Sequence, residues 1–230
     1  MLKTKINKLT ILVSVLLGLS FTAKSQGNLP YVDGKLIHFG FSLGLNAMDF
    51  KVTPKSDSVN ARVSTLNPGF SVGIISDLRL NRYLNLRFNP TLHFGERQLS
   101  YFPKTGNDSI IISSIPINLP IYLKYSAERK GNFRPYLIWG AGISFDFATN
   151  KENPVLLKPV DLFTEFGVGC DIYFLFFKLA PELKYSVGFN NIFTPLDQRN
   201  AGQILGPNQR FSSALSGLKS RMLTLTFNFE

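Results

Sequence analysis

Charged side chains recur at alternate positions within apolar stretches of this 230-residue sequence. The stretch "FFKLAPELKYSVGF" carries Lys178, Glu182 and Lys184 on one parity, and "EFGVGCD" carries Glu165 and Asp171 in the same manner. Opposite charges so placed could line a selective channel, or they could pair inside a narrow interior, where buried charges need partners. We favour the static salt-bridge network. Its predicted members are Asp77, Arg79, Arg87, Lys124, Arg134, Asp146, Glu165, Asp171, Lys178, Glu182 and Lys184.

Residues suited to catalysis or metal binding are few. His38 and His93 are the two histidines, and no His-x-x-x-His spacing occurs. A barrel esterase would need a serine and an acid around His93. Ser42, Ser71 and Ser144 are conceivable neighbours, but no spacing selects one of them. We therefore expect hydrogen-bonding roles for both histidines, no catalytic or metal-binding residues, no cofactor and no enzymatic activity.

The composition excludes other classes of site. A single cysteine, Cys170, rules out an intramolecular disulfide and a cysteine-based metal cluster. Nucleic acid is not an expected partner, because no basic run exceeds two residues and no binding motif occurs. The formal charge of +10 instead suits an anionic lipid surface or acidic partners.

The first 25 residues resemble a removable signal peptide. Three lysines precede the apolar run "LTILVSVLLGLSF", and "AKS" supplies small residues for cleavage after position 25. The run is short of the roughly 20 residues that span a bilayer, although an uncleaved anchor is the alternative. Cleavage would reduce Lys+Arg from 25 to 21 against 15 acids, which leaves a charge of about +6. We predict export, with residues 26–36 forming a short periplasmic segment.

A period of two dominates the sequence after residue 36, and convincing helical periodicity is missing. This pattern predicts eight strands. They lie at about 37–50, 68–80, 84–102, 109–125, 133–149, 160–174, 176–191 and 218–229.

The two faces of these strands differ in kind. One row is dense in Phe and Leu, whereas the other combines glycines with charges of both signs. A soluble sandwich or lipocalin-like barrel would instead show an outer row of Lys, Glu, Thr and Ser. The pattern therefore favours an all-β, eight-stranded antiparallel up-and-down transmembrane β-barrel of the outer-membrane type over residues 37–230, with apolar rows facing lipid.

The connections alternate in length. "NRY" (81–83) and "SAERKGN" (126–132) are short, whereas 51–67, 150–159 and 192–217 are long. Outer-membrane barrels place short turns in the periplasm, which predicts periplasmic termini. The loop 191–217 is predicted to be either a disordered tip or the main partner surface.

Aromatic residues and prolines add further expectations. Interfacial girdles are predicted near both ends of the barrel. Their members are Tyr83, Tyr125, Phe133, Tyr173, Phe174 and Phe176 by the short turns, and Phe50, Tyr101, Phe102, Phe147 and Phe193 by the long loops. Five prolines fall inside the predicted strands, where we expect bulges. They are Pro90, Pro116, Pro120, Pro135 and Pro181.

Several phrases of the sequence resemble known families. "IPINLPIYLKY", "RPYLIWGAG", "EFGVGCDIYF" and "APELKYSVGFNNIF" are similar to the outer-membrane β-barrel family of Bacteroidota. "HFGFSLGLNAMDF", "PGFSVGIISDLRL" and "YLNLRFNPTLHFGERQLSY" resemble the PorT-like proteins, which are implicated in type IX secretion and gliding. "LTLTFNFE" resembles the strand read by the barrel assembly machinery, although Glu230 follows the aromatic residue.

The resemblance implies a non-enzymatic accessory or assembly role in type IX secretion. The expected partners are outer-membrane lipid, the barrel assembly machinery during insertion and other type IX components. Three alternatives remain open at this point: a general outer-membrane protein for adhesion or envelope integrity, a small diffusion pore, and a lipid-modifying barrel enzyme that depends on His93.

Overall fold

The computed structural model describes residues 28–29, 32–54, 60–63, 67–102, 108–147, 155–195 and 215–230. A short 3-10 helix at Val32–Gly34 precedes eleven strands. In chain order they are β1 (Ile37–Pro54), β2 (Asn60–Val63), β3 (Pro68–Arg79), β4 (Leu84–Phe88), β5 (Thr91–Phe102), β6 (Asp108–Ser114), β7 (Pro116–Ser126), β8 (Phe133–Asp146), β9 (Val160–Tyr173), β10 (Lys178–Gly188) and β11 (Leu215–Phe229). The predicted signal peptide lies outside the described residues.

The strands form one antiparallel ring. From β3 the ladder runs through β4 and β5 to β7, and then through β8, β9, β10 and β11 in sequence order. β1 pairs with β11 along one edge and with β3 along the other, so the ladder returns to its first strand. Each strand of the ring therefore has two hydrogen-bonded neighbours, as lipid requires of a β-structure.

Eight long strands account for ten of the eleven segments. β4 and β5 are two parts of one predicted strand, which breaks at Asn89 and Pro90. β6 and β7 divide another at Ile115. The remaining segment, β2, pairs with β5 beyond the ring and was not predicted. The eight-stranded up-and-down prediction is confirmed, and the two interruptions are a correction to its strand boundaries.

The inside-out partition of side chains is confirmed. Trp139, Phe166 and Val168 expose 63%, 53% and 53% of their surface on the outside of the ring, whereas Glu165, which precedes Phe166 in β9 and pairs with Gly140, exposes 3%. The same alternation runs along β7, where the polar parity is buried and Ile121 and Leu123 are exposed. A sandwich or lipocalin-like arrangement would reverse both sets.

The prolines in the described strands do not produce the bulges that the sequence predicts. Pro90 ends β4, and Pro116 begins β7. Pro120, Pro135 and Pro181 keep their places in the ladders with Gly142, Cys170 and Phe227, and no register shift accompanies them. In the described strands of the ring, these three prolines are accommodated without the extra residue that defines a bulge.

The end with the long loops is closed by an apolar cluster. Phe50 and Leu99 from the strands pack with Val155, Leu157 and Phe193 from the connecting segments. Because Phe50 and Phe193 are buried here, their assignment to an interfacial girdle is wrong. Tyr173 is a third correction, since its side chain is buried at the opposite end.

Other girdle residues do face outward. Tyr125, Phe133, Phe174 and Phe176 are exposed near the short turns, and Phe147 is exposed near the long loops. Tyr83 is partly exposed in its turn, and the side chains of 101 and 102 lie outside the described residues. Within the described ranges, no helix is long and apolar enough to cross a membrane.

Candidate functional site: the charged interior and its two ends

Arg87 links opposite walls of the barrel. Its fully buried guanidinium donates from Nε and Nη2 to Oδ2 of Asp77 at 2.9 and 2.7 Å. Nη2 also donates to Oε1 of Glu230 at 2.8 Å, and Nη1 lies 3.4 Å from Oε2 of Glu182. The carboxylates belong to β3, to β10 and to the residue after β11, so one side chain ties together strands that are far apart around the ring.

Three lysines extend this network. Lys124 donates from Nζ to both oxygens of the Asp171 carboxylate at 3.0 and 2.9 Å. The other two lysines each lie between two carboxylates. Nζ of Lys178 lies 2.7 Å from a carboxylate oxygen of Glu230 and 3.9 Å from one of Asp171. Nζ of Lys184 lies 3.2 Å from a carboxylate oxygen of Glu165 and 3.6 Å from one of Glu182. Every cation of the network therefore contacts a carboxylate, which is the condition for burying such charges.

Two tyrosines complete the network. The hydroxyl of Tyr122 donates to Glu165 at 2.7 Å, and that of Tyr136 donates to Glu182 at 2.8 Å. A side chain at Gly169 would overlap the ring of Tyr136, so glycine at this inward position makes room for the tyrosine. The glycine-rich polar rows thus serve to accommodate long interior side chains.

Eight of the eleven predicted charged residues lie in this network. They are Asp77, Arg87, Lys124, Glu165, Asp171, Lys178, Glu182 and Lys184. The other three lie nearer the ends. Arg79 donates to the carbonyl of Asn81, Arg134 donates to carbonyls of two turns, and Asp146 accepts from the backbone nitrogen of Ile115.

Glu230 is the main network member that sequence reasoning missed. In the sequence it stands out only as a departure from the usual aromatic ending. Its backbone exchanges two hydrogen bonds with Lys178, which extends the β10–β11 pairing by one residue and turns the carboxylate inward. The signal was available in the sequence, because Glu230 has the same parity as the inward residues Thr226 and Asn228.

The end with the short turns is covered by the segment before β1. Asp33, in the 3-10 helix, accepts a hydrogen bond from the hydroxyl of Tyr173 at 2.6 Å. Its carboxylate also lies 3.4 Å from Arg134 and 3.5 Å from Arg129. Asn28 donates to the carbonyl of Tyr173 at 3.0 Å. The segment therefore packs across this mouth of the barrel.

The half of the interior nearer the long loops contains little open space. Arg97 stacks over the ring of Phe50 at 4.6 Å and donates to Ser220 at 3.1 Å. With Asp146 and Asp161 it lines a cavity of about 20 Å³. This is room for about one water molecule and not for a solute.

Among the residues that the structure describes, the histidines do not assemble a hydrolytic site. His93 is buried and faces Ser71 across the β3–β5 ladder, but in the described part of the chain neither His93 Nδ1 nor Ser71 Oγ has a hydrogen-bond partner. The charged groups that influence His93 are the cations Lys184 and Arg97, where a catalytic triad needs an acid. His38 contacts the carbonyl of Val32 at 2.7 Å. Among the described residues, no group of His, Cys, Asp and Glu is arranged to hold a metal ion.

Comparison with known proteins agrees with this architecture. A family model described as "Outer membrane protein beta-barrel domain" matches residues 24–194. None of the curated proteins matches the chain.

Three solved structures to which the chain is similar are the following. Neisserial surface protein A (NspA) is 10% identical, with 84% of this chain and 98% of that chain covered and a TM-score of 0.43. OprG from Pseudomonas aeruginosa is 14% identical, with 84% and 91% covered and a TM-score of 0.43. AlkL, determined by solid-state NMR in DMPC bilayers, is 11% identical, with 91% and 92% covered and a TM-score of 0.40.

Proposed function

The chain belongs to the outer membrane protein beta-barrel domain family, and we propose that it is a non-enzymatic accessory or assembly component of type IX protein secretion, and of gliding where that occurs. In this role the barrel is a membrane-held scaffold. Its working surfaces are the two ends, where other components of the secretion machinery bind.

One observation carries the scaffold role, namely that the interior is filled. Arg87 and three lysines are each paired with carboxylates inside the lumen. The apolar cluster around Leu99 and Phe193 lies at one end, and the segment carrying Asp33 lies across the other. In its described part, a barrel packed in this way offers neither a solute path through the lumen nor a substrate cavity inside it, so its ends are the surfaces left for function.

The resemblance to PorT-like proteins supports the link to type IX secretion in particular. It involves "HFGFSLGLNAMDF", "PGFSVGIISDLRL" and "YLNLRFNPTLHFGERQLSY", which belong to β1, β3, β4 and β5. These strands are neighbours in the ring. The similar segments therefore form one continuous part of the wall, which is consistent with a shared partner surface.

Deletion of the gene is expected to block surface delivery of type IX cargo. Cargo would be quantified by immunoblot of the culture medium and of intact cells, with a plasmid-borne copy of the wild-type gene as the control. Sensitivity to a large antibiotic would be measured in parallel to monitor the envelope. Normal cargo delivery in the deletion strain would reject the proposed role, and normal delivery with a leaky envelope would favour general envelope integrity instead.

The filled interior also predicts that the barrel does not conduct ions. The purified full chain, inserted into planar lipid bilayers, is expected to show no stable conductance steps, because ions would have to displace paired buried charges. A known outer-membrane porin reconstituted by the same procedure provides the positive control. Reproducible single-channel steps from the purified chain would contradict the scaffold role and favour a diffusion pore.

A further inference from the structure

A pocket rich in arginine lies at the end of the barrel with the short turns. It has a volume of about 270 Å³. Arg79 ends β3, and Arg82 lies in the following turn. Arg129 lies in the turn between β7 and β8, and Arg134 is the second residue of β8. We call this the arginine pocket, and it is lined by Asp33, Arg79, Arg82, Glu128, Arg129 and Arg134, with Gly34 and Tyr83.

The arginine pocket has a surplus of positive charge. Its four arginines face two carboxylates, Asp33 and Glu128, which leaves a formal charge of +2. The exposed residues Lys35 and Lys130 lie in adjoining segments and add to the positive potential. An excess of this kind in a concave site attracts anions from solution.

Two of the arginines have capacity to bind a ligand. Among the described residues, the side chain of Arg79 makes one hydrogen bond, from Nε to the carbonyl of Asn81, which leaves both Nη atoms available. Arg82 pairs with Glu128 at 3.2 Å, but both side chains are largely exposed, at 71% and 60%. Exposed pairs of this type contribute little and exchange readily. The hydroxyl of Tyr83 donates to Glu128 at 2.9 Å, which raises the pKa of that tyrosine.

The chain itself shows which ligand chemistry the arginine pocket accepts. The carboxylate of Asp33 lies between Arg129 and Arg134, and Tyr173 donates to it. Arg129 is held in place by stacking over the ring of Tyr173 at 3.6 Å. Guanidinium groups present planar forks that match carboxylates, so the site is already organised around one acidic side chain.

We propose that the arginine pocket binds an acidic segment of a periplasmic protein, with its carboxylates on Arg79 and Arg82 beside the resident Asp33. The inference rests on the proposed scaffold function and names the chemistry of a partner at this end. Short turns of outer-membrane barrels face the periplasm, so the segment would come from that compartment.

The geometry favours a protein carboxylate over a lipid phosphate. Arg79 has the parity of the inward Asp77, whereas its neighbours Leu78 and Leu80 lie on the outward row. Arg134 alternates in the same way with the exposed Phe133. A phospholipid headgroup would have to leave the apolar wall and cross the rim to reach these side chains.

The test measures binding of a fluorescein-labelled hexaglutamate peptide to the full chain in phosphatidylcholine nanodiscs. Fluorescence anisotropy in about 50 mM NaCl keeps surface electrostatics measurable. Wild type is expected to bind, and the double variant Arg79→Gln, Arg82→Gln is expected to bind about tenfold more weakly, since two charged contacts are lost. The matched control is Lys51→Gln with Lys219→Gln, a cross-strand pair at the other end that removes the same charge.

Each outcome decides the proposal. Wild-type affinity in the lysine control together with weak binding in the arginine variant supports it. Equal weakening in both variants, or no binding by wild type, overturns it. Displacement of the peptide by equimolar short-chain phosphatidylglycerol would identify a phospholipid as the occupant and would also overturn it. Peptide binding is independent of the secretion assay, so normal cargo delivery in the deletion strain would remove the type IX role and leave this site standing.

Discussion

Replacing Arg87 by leucine is expected to destabilise the barrel by about 3–5 kcal/mol, the usual cost of removing one partner from a buried ion pair. The guanidinium is fully buried and contacts the carboxylates of Asp77, Glu182 and Glu230. Leucine would leave Asp77 with Asn85 as its hydrogen-bonding partner, at 2.6 Å, and would reduce the neutralisation of the other two acids. The free energy of unfolding would be measured by urea titration in lipid vesicles, followed by the fluorescence of the single tryptophan, Trp139.

Two comparisons separate the loss of charge from the loss of a side chain. Arg82→Leu removes an arginine whose side chain is largely exposed, and it is expected to change stability little. Combining Arg87→Leu with Asp77→Leu is expected to be less destabilising than the sum of the single changes, with a coupling energy of about 1–3 kcal/mol. If Arg87→Leu unfolds at the wild-type urea concentration, the interior pairing does not hold the barrel together.

The central part of the barrel could be predicted from the sequence because a strand offers only two faces. Once Phe166 is assigned to lipid, Glu165 must face inward. The same alternation turns Lys184 and Glu182 inward on the neighbouring strand β10. Eight strands leave an interior that side chains fill, which predicts pairing rather than a channel. Neither step needs knowledge of the loops.

The ends of the barrel are harder to predict, because the alternation of inward and outward side chains does not continue beyond the end of a strand. Because Phe50 and Phe193 are aromatic and close to long loops, the sequence favours a girdle for both. In the structure the rim folds inward, and both pack in the apolar cluster. Tyr173 has the inward parity of Asp171, yet its aromatic ring suggested an interface. Its hydroxyl in fact binds Asp33, a residue 140 positions away in the chain.

The buried charge network extends from Arg87 to the arginine pocket at the end with the short turns. Glu230 joins Arg87 to Lys178, and Lys178 lies near Asp171, two residues from Tyr173 at the short-turn mouth. Tyr173 in turn stacks under Arg129 of the arginine pocket. The pocket therefore adjoins the buried charge network, and the contact with Tyr173 orients one of its guanidinium groups.

The outward face allows the most direct test of the membrane assignment. Phe166→Arg is expected to destabilise the barrel by about 2–4 kcal/mol, because it places a charge on the lipid side near the middle of β9. Phe166 lies between Trp139 and Tyr185 in register and packs edge-to-face with Tyr185 at 5.6 Å, so no carboxylate is adjacent on this face. Unfolding would be followed by far-UV circular dichroism in vesicles, since Trp139 is too close to serve as a neutral probe.

The depth of the substitution supplies the control. Leu80→Arg also removes an exposed apolar side chain, but it lies just beyond β3 at the level of the short turns. A charge near the interface costs about 0–1 kcal/mol, so this variant is expected to unfold close to the wild type. If the wall faces lipid, Phe166→Arg must be more destabilising than Leu80→Arg. A wall facing water would tolerate arginine equally at both positions. Equal stability of the two variants would therefore contradict the membrane assignment on which the scaffold role depends.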